Sequence, residues 1–164
     1  MDGQVRRGAA MFLGYYKRPD LSVLHPDGWF DSGDMAYMDE EGYIRINGRT
    51  KDIIIRGGEN VPVVEIEGLL YRHPAVADAA LVGYPDDRLG ERGCAFVVLK
   101  PGASLGLAEM QAYMAESGAA KQYWPEQIEI IDAMPRNPSG KIQKFLLREQ
   151  ALKHAAREAG SATG

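Results

Sequence analysis

The stretch from residue 135 to residue 141 limits what this chain can fold into more than any other. It reads Pro-Arg-Asn-Pro-Ser-Gly-Lys. Proline fixes one backbone angle and lacks an amide hydrogen, and Asn, Ser and Gly favour turns, so no regular helix or strand passes through this stretch. We therefore predict an ordered loop that ends at Lys141 and is followed by a helix. Taken alone, the string also fits a plain turn with a solvated lysine, because short motifs often match by chance.

A phosphate-binding P-loop is excluded at this position. The GxxxxGK[ST] pattern needs a glycine where Pro135 stands and a hydroxyl where Ile142 stands. What remains is a lysine at the end of a stiff loop. Such a cation is suited to contact negative charge that is supplied from elsewhere.

Composition narrows the classes of partner. The 164 residues are 45% hydrophobic and 26% charged, which is ordinary for a globular protein, and the net charge of -4 argues against nucleic acid or an anionic membrane as partner. No apolar run reaches the roughly 20 residues of a membrane span. Cys94 is the only cysteine, and the chain starts without the apolar core of a secretory signal, so we expect a cytoplasmic protein without a disulfide. The three histidines are far apart in sequence, and no metal site is predicted.

Strand and helix patterns alternate along the chain and predict an α+β fold. Residues 1–47 suggest short strands and loops, with a strand at 5–11, a turn at 25–28 and a hairpin between 35–38 and 43–46. Further strands are predicted at 52–56, 76–84, 94–99 and 127–131, with turns at 57–60 and 85–92. Helices are predicted from Pro62 to Pro74, from Leu107 to Gly118 behind a Ser104 cap, and from Phe145 to about Gly160, before a disordered tail.

The first 47 residues contain too few apolar side chains to close a core of their own. Strands removed from a larger sheet expose unpaired backbone edges, and such edges tend to pair with another copy or to lose order. We therefore expect either a homo-oligomer formed through strand edges or a poorly fixed amino-terminal segment. A closed barrel formed by this segment would contradict that expectation.

Three strings, in this order and spacing, resemble the closing motifs of the adenylate-forming enzymes, which include acyl-CoA synthetases, the adenylation domains of peptide synthetases, and luciferase. They are WFDSGD at 29–34, GRTKDIIIRGGEN at 48–60 and PSGK at 138–141. VGYPD at 82–86 is a fourth match and is more similar to acyl-CoA synthetases than to luciferase. The resemblance implies that residues 1–47 end a large N-terminal domain, that 48–52 form a hinge, and that 53–164 form a small mobile C-terminal lid domain.

The activity implied by this resemblance is that of a carboxylate–CoA ligase. ATP with Mg²⁺ and a carboxylic acid would give acyl-AMP, and the thiol of CoA would then displace AMP. Lys141 is similar to the lysine that serves the first step, where a cation between carboxylate and phosphate lowers the barrier. The resemblance also implies nucleotide binding by Asp34 and Arg49, a hinge at Lys51, and passage of the CoA arm over Gly57 and Gly58.

Several of these residues have a plainer interpretation. Asp34 could be a turn residue and Arg49 a surface ion-pair partner, and Gly57 and Gly58 could form a hairpin turn, which is compatible with the CoA role. Lys144 and Arg148 could meet a phosphate of CoA, but a solvated helix face is the expected alternative. Trp124 is expected to pack against the large domain.

Two other functions stay open at this point. The chain could belong to an adenylation domain that loads the pantetheine of a carrier protein, or it could be a non-catalytic interaction module. Neither the acyl pocket nor the phosphate loop of the family's large domain is recognisable in the sequence. We therefore expect the 164 residues alone to have no ligase turnover and to hold no cofactor tightly.

Overall fold

The computed structural model describes residues 4–6, 15–18, 26 and 29–161. The chain divides into two compact units, Met1–Lys51 and Asp52–Gly164. Helices and antiparallel strands are both present, which confirms the predicted α+β class. Within the described ranges, no helix is both long and apolar enough to cross a membrane. Most of the predicted strand at 5–11 and most of the turn at 25–28 lie outside the described residues, as does the end of the tail at 162–164.

The described residues of the first unit form two small antiparallel pairs of strands. Strand β1 (Gln4–Arg6) pairs with β2 (Phe30–Asp31), and β3 (Asp34–Met38) pairs with β4 (Ile44–Arg49). The second pair is the predicted hairpin. Its turn is closed by Asp39, whose side-chain Oδ1 accepts hydrogen bonds from the backbone nitrogens of residues 41 and 43 at 3.2 and 2.8 Å. The described strands of this unit form no barrel, and the predicted strand pairing between copies stays a prediction.

The hairpin of the first unit exposes most of its large apolar side chains. Tyr37, Met38, Tyr43, Ile44 and Ile46 are each more than half exposed. Burial of such side chains is the main favourable term in folding, and here it is largely absent. The described part of this unit therefore lacks a core of its own, as the composition of residues 1–47 predicted.

The second unit is built on a five-stranded sheet with β8 at its centre. Strand β8 pairs with β7 along one edge, and along the other edge it pairs with β9 in parallel and with β5 at a single antiparallel position. β5 in turn pairs with β6. The strands are β5 (Ile54–Arg56), β6 (Glu59–Val61), β7 (Val76–Asp86), β8 (Gly90–Leu99) and β9 (Gln127–Ile130).

Both faces of this sheet are covered. Helices α1 (Val63–Arg72) and α2 (Leu107–Glu116) pack on one face together with Leu81 and Val97, and α3 (Lys144–Ser161) packs on the other together with Val82 and Phe96. Successive side chains of a strand point to opposite faces. The continuous apolar runs of β7 and β8 therefore supply both cores at once.

Helix α1 follows its predicted pattern. Ile66, Leu69, Leu70 and His73 are all buried, and the helix ends at Arg72, just ahead of the Pro74 predicted to stop it. The predicted start was one residue early, because Pro62 occupies the N-cap position and Val63 is the first helical residue. Pro62 still fits there, since the missing N–H is not needed at a helix start.

Several predicted boundaries are wrong. The 85–92 connection is mostly strand, since β7 runs to Asp86 and β8 begins at Gly90, and Asp86 closes the turn by accepting hydrogen bonds from the backbone nitrogens of residues 88 and 89. Strand β5 begins only at Ile54, and residues 59 and 60 belong to β6 rather than to a turn. The predicted end of the last helix at about Gly160 is correct to within one residue, since α3 ends at Ser161.

The predicted cap of α2 is also wrong. The helix begins after Gly106, with no side-chain cap, so Ser104 does not serve this role, and Leu107 is partly exposed while Met110 and Met114 are fully buried. Gly118 does follow the helix end in the left-handed conformation, at φ 78°.

Trp124 is partly buried against the core of its own unit. This packing accounts for its burial without the predicted contact with the large domain. Its ring packs against the cluster formed with α1 and α2, and its Nε1 donates a hydrogen bond to the carbonyl oxygen of Ala119 at 2.8 Å. Buried tryptophans usually find such a partner for the indole N–H.

Candidate functional site

The loop that carries Lys141 is closed on itself by hydrogen bonds. The side-chain Oδ1 of Asn137 accepts one from the backbone nitrogen of Lys141 at 2.9 Å and one from the hydroxyl of Ser139 at 2.8 Å. The backbone nitrogen of Asn137 donates to the carbonyl oxygen of Lys141, and Gly140 takes φ 83° at the tip. The predicted ordered loop is confirmed, and the Lys141 residue at its end is exposed to solvent.

Arg136 connects this loop to the central sheet. Its Nη1 donates to the carbonyl oxygen of Gly140 at 2.7 Å, and its Nη2 lies 2.6 Å from Oδ2 of Asp78 on β7. The other carboxylate oxygen of Asp78 accepts a hydrogen bond from the hydroxyl of Tyr71 on α1. One guanidinium therefore holds the residue before Lys141 and a strand of the core together.

The electrostatics of this cluster favour an ionised carboxylate. Burial opposes ionisation of Asp78, but the hydrogen bonds from Tyr71 and Arg136 outweigh it and lower the pKa of the carboxyl. Burial and the bond to Asp78 raise the pKa of Tyr71. The tyrosine therefore remains a hydrogen-bond donor at neutral pH.

A second ion pair is formed by a lysine that follows Lys141 in the sequence. Lys144 Nζ is 2.7 Å from Oε1 of Glu67 on α1, and the same oxygen accepts a hydrogen bond from the backbone nitrogen of Leu81 at 2.7 Å. Arg148, one turn further along α3, lies 3.4 Å from Oδ1 of Asp52. The expected solvated face for Lys144 and Arg148 is therefore wrong, because both contact carboxylates of their own unit.

The first unit places two predicted nucleotide-binding residues side by side. Asp34 and Arg49 are cross-strand partners in β3 and β4, and Arg49 Nε lies 3.0 Å from Asp34 Oδ1. Their side chains remain 28% and 46% exposed, so both can still be reached by a ligand. The ion pair is the plainer structural role foreseen for Arg49, and the nucleotide role stays a prediction.

A cavity of about 330 Å³ opens beside this pair. The turn at residues 31–33 lines this cavity and is held by Asp31, whose Oδ1 accepts a hydrogen bond from the backbone nitrogen of Gly33 at 2.7 Å, while Gly33 takes φ 67°. The carbonyl oxygen of Gly33 accepts one from the backbone nitrogen of Thr50 at 2.9 Å. The lining residues are Asp31, Ser32, Gly33, Arg49, Thr50 and Lys51.

Lys51, the predicted hinge residue, lies in a short 3₁₀ helix spanning Thr50–Asp52 and is exposed. It lines the same cavity as Arg49 and is the last residue of the first unit. The backbone there is irregular rather than continuous strand. Irregular termini of this kind are where hinge rotations are usually absorbed.

Gly57 and Gly58 form the turn between β5 and β6, at φ 60° and 86°. A Cβ at Gly58 would meet nothing within 4 Å, and one at Gly57 would lie 3.9 Å from a Leu89 side-chain carbon. Glycine is thus required here by backbone conformation and not by crowding inside the unit. The hairpin-turn interpretation holds, and it leaves the surface over Gly58 open for a passing ligand.

Four residues that bond to the Lys141 loop, to its anchor or to the following Lys144 were not predicted from the sequence: Glu67, Tyr71, Asp78 and Arg136. Asp78 could have been detected, because it interrupts the apolar part of β7, whose other carboxylate, Asp86, is the last residue of the strand. Among the residues that the structure describes, no group of three or more His, Cys, Asp or Glu side chains could hold a metal ion.

Comparison with known proteins places this site in a family. Residues 65–141 match the family model of the AMP-binding enzyme C-terminal domain. The medium-chain fatty-acid–CoA ligase of Escherichia coli (strain K12) is 48% identical over 158 residues, which cover 94% of this chain and 28% of that protein. The putative acyl-CoA synthetase YngI of Bacillus subtilis (strain 168) is 44% identical over 155 residues, covering 93% of this chain and 28% of YngI.

Solved structures agree with this result. The crystal structure of ATP-bound MatB from Rhodopseudomonas palustris aligns with a TM-score of 0.79 at 37% identity, covering 88% of this chain and 29% of that one. The chain therefore contains the C-terminal domain of the adenylate-forming enzymes. Among the members of that class it is similar to acyl-CoA ligases, and it spans about 28% of the length of the curated relatives it matches.

Proposed function

We propose that this chain completes the active site of a carboxylate–CoA ligase. In the first step a carboxylate oxygen attacks the α-phosphorus of Mg·ATP, and pyrophosphate leaves with the electrons of the broken P–O bond. In the second step the sulfur of CoA attacks the acyl carbon, loses its proton, and AMP leaves. In the first step the chain would contribute a cation. In the second step it would contribute a glycine turn along which the arm of CoA passes.

Lys141 would serve the first step. Two anions repel each other as the carboxylate approaches the phosphate, and an ammonium held between them stabilises the charge that develops there. The observation that carries this proposal is the Asn137-centred loop, which presents an exposed Lys141 on a backbone fixed by hydrogen bonds. A compact ammonium suits this position better than a planar guanidinium, which favours one bidentate geometry.

Asp34 and Arg49 would bind the nucleotide. The Asp34 carboxylate can accept hydrogen bonds from ribose hydroxyls, and Arg49 can donate to ribose or phosphate oxygens. Support comes from their adjacency at 3.0 Å and from the cavity that Arg49 lines. Binding would require Arg49 to share or exchange its contact with Asp34.

Lys51 would be the hinge, and the turn at Gly57 and Gly58 would lie along the path of the CoA arm. One site must present Lys141 for the first step and a thiol channel for the second, and rotation of a domain about a few residues meets both needs. The open surface over Gly58 supports the second role.

We also propose that the 164 residues alone have no ligase turnover, since they span only about 28% of the length of the ligases they resemble. The intact enzyme would work in the cytoplasm, which agrees with the presence of a single, buried cysteine in this chain. Purified chain incubated with ATP, CoA and a panel of acids should yield no acyl-CoA. Any product above that of a chain-free control would refute the proposed inactivity.

The experiment that tests the proposed function replaces Lys141 by Ala in the intact ligase that carries this chain. Acid-dependent exchange of pyrophosphate into ATP should fall by about a hundredfold or more. Lys121→Ala is the matched control, because Lys121 is also exposed in a short irregular segment of the same unit. Equal exchange rates in the two variants would contradict the role of Lys141.

The second-step acceptor can be tested in the same enzyme. A carrier-protein pantetheine presents the same thiol as CoA, and it remains the alternative acceptor. Free CoA should support turnover at micromolar to millimolar concentration if it is the substrate. Turnover only with a pantetheine-loaded carrier protein would establish the alternative.

A further inference from the structure

We propose that Asp78 and Arg136 are positioning residues for Lys141, which they orient by tying the loop tip to strand β7. This inference rests on the proposed role of Lys141 in acyl-AMP formation. Neither side chain is assigned to contact substrate. Their effect would be exerted through the backbone at Gly140.

The geometry of Arg136 carries the first step of the inference. A guanidinium offers several N–H donors in a rigid fork, so two partners bonded to one fork are held in fixed relation to each other. Here Nη1 bonds the Gly140 carbonyl at 2.7 Å and Nη2 contacts Asp78 at 2.6 Å. Gly140 is the residue directly before Lys141, and Asp78 lies in the central sheet.

The carboxylate is itself held in place. Asp78 Oδ1 accepts hydrogen bonds from the Tyr71 hydroxyl and from the backbone nitrogen of Ala79, the latter at 3.0 Å. Its side chain is only 20% exposed. An anion anchored on three sides is a rigid point from which to hold a loop.

The distribution of charge around the loop supports the same conclusion. Arg136, Lys141 and Lys144 place three cations within nine residues. Two of them contact carboxylates, Arg136 with Asp78 and Lys144 with Glu67. In the part of the chain that the structure describes, Lys141 has no such carboxylate, so the pairs that hold the loop leave its ammonium available for a ligand.

The test is Asp78→Asn in the intact ligase, with Glu129→Gln as its control. Glu129 contacts His154 in the same unit, and the side-chain exposures of the two contacting pairs match. They are 42% and 20% for Arg136 and Asp78, and 41% and 22% for His154 and Glu129. Acyl-AMP formation should fall about tenfold in Asp78→Asn, mainly in kcat, because small misplacements of a reacting group are costly. Thioester formation from added acyl-AMP should stay within about twofold for both variants.

A double mutant separates positioning from simple stability. In a Lys141→Ala background, Asp78→Asn should have no further effect on acyl-AMP formation, because no ammonium remains to be positioned. Additive losses, or equal losses in both half-reactions, would overturn the inference. If Asp78→Asn does not fold, Tyr71→Phe can replace it, because this change removes only one hydrogen bond to Asp78. Acyl-AMP formation should then fall about twofold, and an unchanged rate would overturn the inference.

Failure of the inference can be told from failure of the proposed function. If Lys141→Ala leaves acyl-AMP formation intact, the proposed function fails. If Lys141→Ala abolishes it and Asp78→Asn behaves like Glu129→Gln, the lysine role stands and only the positioning role is overturned.

Discussion

The side-chain oxygen of Asn137 accepts a hydrogen bond from the backbone nitrogen of Lys141 at 2.9 Å. The two residues are joined a second time, since the backbone nitrogen of Asn137 donates to the carbonyl oxygen of Lys141. These two hydrogen bonds fix the backbone of Lys141, and with it the position of its Cα and the direction of the Cα–Cβ bond. Whatever Lys141 contacts, it does so from a backbone that has little freedom to adapt.

Replacing Asn137 by Ala should therefore impair acyl-AMP formation. The change removes the acceptor used by Lys141 and Ser139, and loss of a typical hydrogen bond costs about 1 kcal/mol of stability. Pyrophosphate exchange should fall about tenfold while the melting temperature drops by only a few degrees. Asn137→Asp keeps an acceptor oxygen and should lose much less activity. An unchanged exchange rate in Asn137→Ala would show that the loop does not need this bond.

Replacing Gly58 by Ala should slow thioester formation more than acyl-AMP formation. The residue takes φ 86°, a conformation that costs an L-residue about 1 kcal/mol, and a new methyl group would stand over the proposed CoA path. Gly68→Ala in α1 is the control, because a Cβ there also meets nothing within 4 Å and alanine favours the helix. Equal effects of Gly58→Ala on the two half-reactions would argue for a purely structural turn.

Replacing Asp34 by Ala should raise the KM for ATP and leave the KM for the acid nearly unchanged. If the residue served only as an exposed ion-pair partner of Arg49, the change would cost about 1 kcal/mol of stability or less and would not alter nucleotide affinity. Arg49→Ala should act in the same direction. Arg45→Ala, an exposed arginine on the same strand, is the control and should leave both KM values unchanged.

The ion pair of Asp78 predicts a change of stability with pH. The folded state lowers the pKa of this carboxyl below its ordinary value of 3.8, so its contribution is fully present above that value and is lost as the pH falls through the lower folded pKa. Asp78→Asn should therefore destabilise the protein at pH 7 more than at pH 2. Thermal unfolding of both proteins at the two pH values measures this. A difference independent of pH would contradict the assignment.

Much of the second unit could be predicted because its elements are long and periodic. The buried face of α1 and the two apolar strands β7 and β8 follow from spacing alone. The ends of β7 and β8 could not be predicted, because residues 85–86 and 90–92 contain no large apolar side chain and are at least partly exposed. They are strand because the end of β7 pairs with the start of β8. Backbone pairing without burial leaves little trace in a hydrophobic pattern.

The side-chain surroundings of Lys141 could not be predicted for a different reason. The loop itself was identifiable from its prolines and glycine, but Arg136 meets an acid 58 positions away and Lys144 meets one 77 positions away. Such pairs depend on how α1, β7 and α3 pack together. A sequence pattern that spans only a few residues contains no information about such long-range pairs. For this reason Lys144 was wrongly expected to be solvated.

The most direct test of the account compares the two half-reactions in single-turnover experiments with one preparation of the Lys141→Ala ligase. Acyl-AMP formation from ATP and acid should be slowed by about a hundredfold or more, whereas thioester formation from added acyl-AMP and CoA should stay within about twofold of the unaltered enzyme. A selective loss of this kind is what a lysine that acts only in the first step requires. Equal slowing of both half-reactions, or normal acyl-AMP formation, would contradict the account.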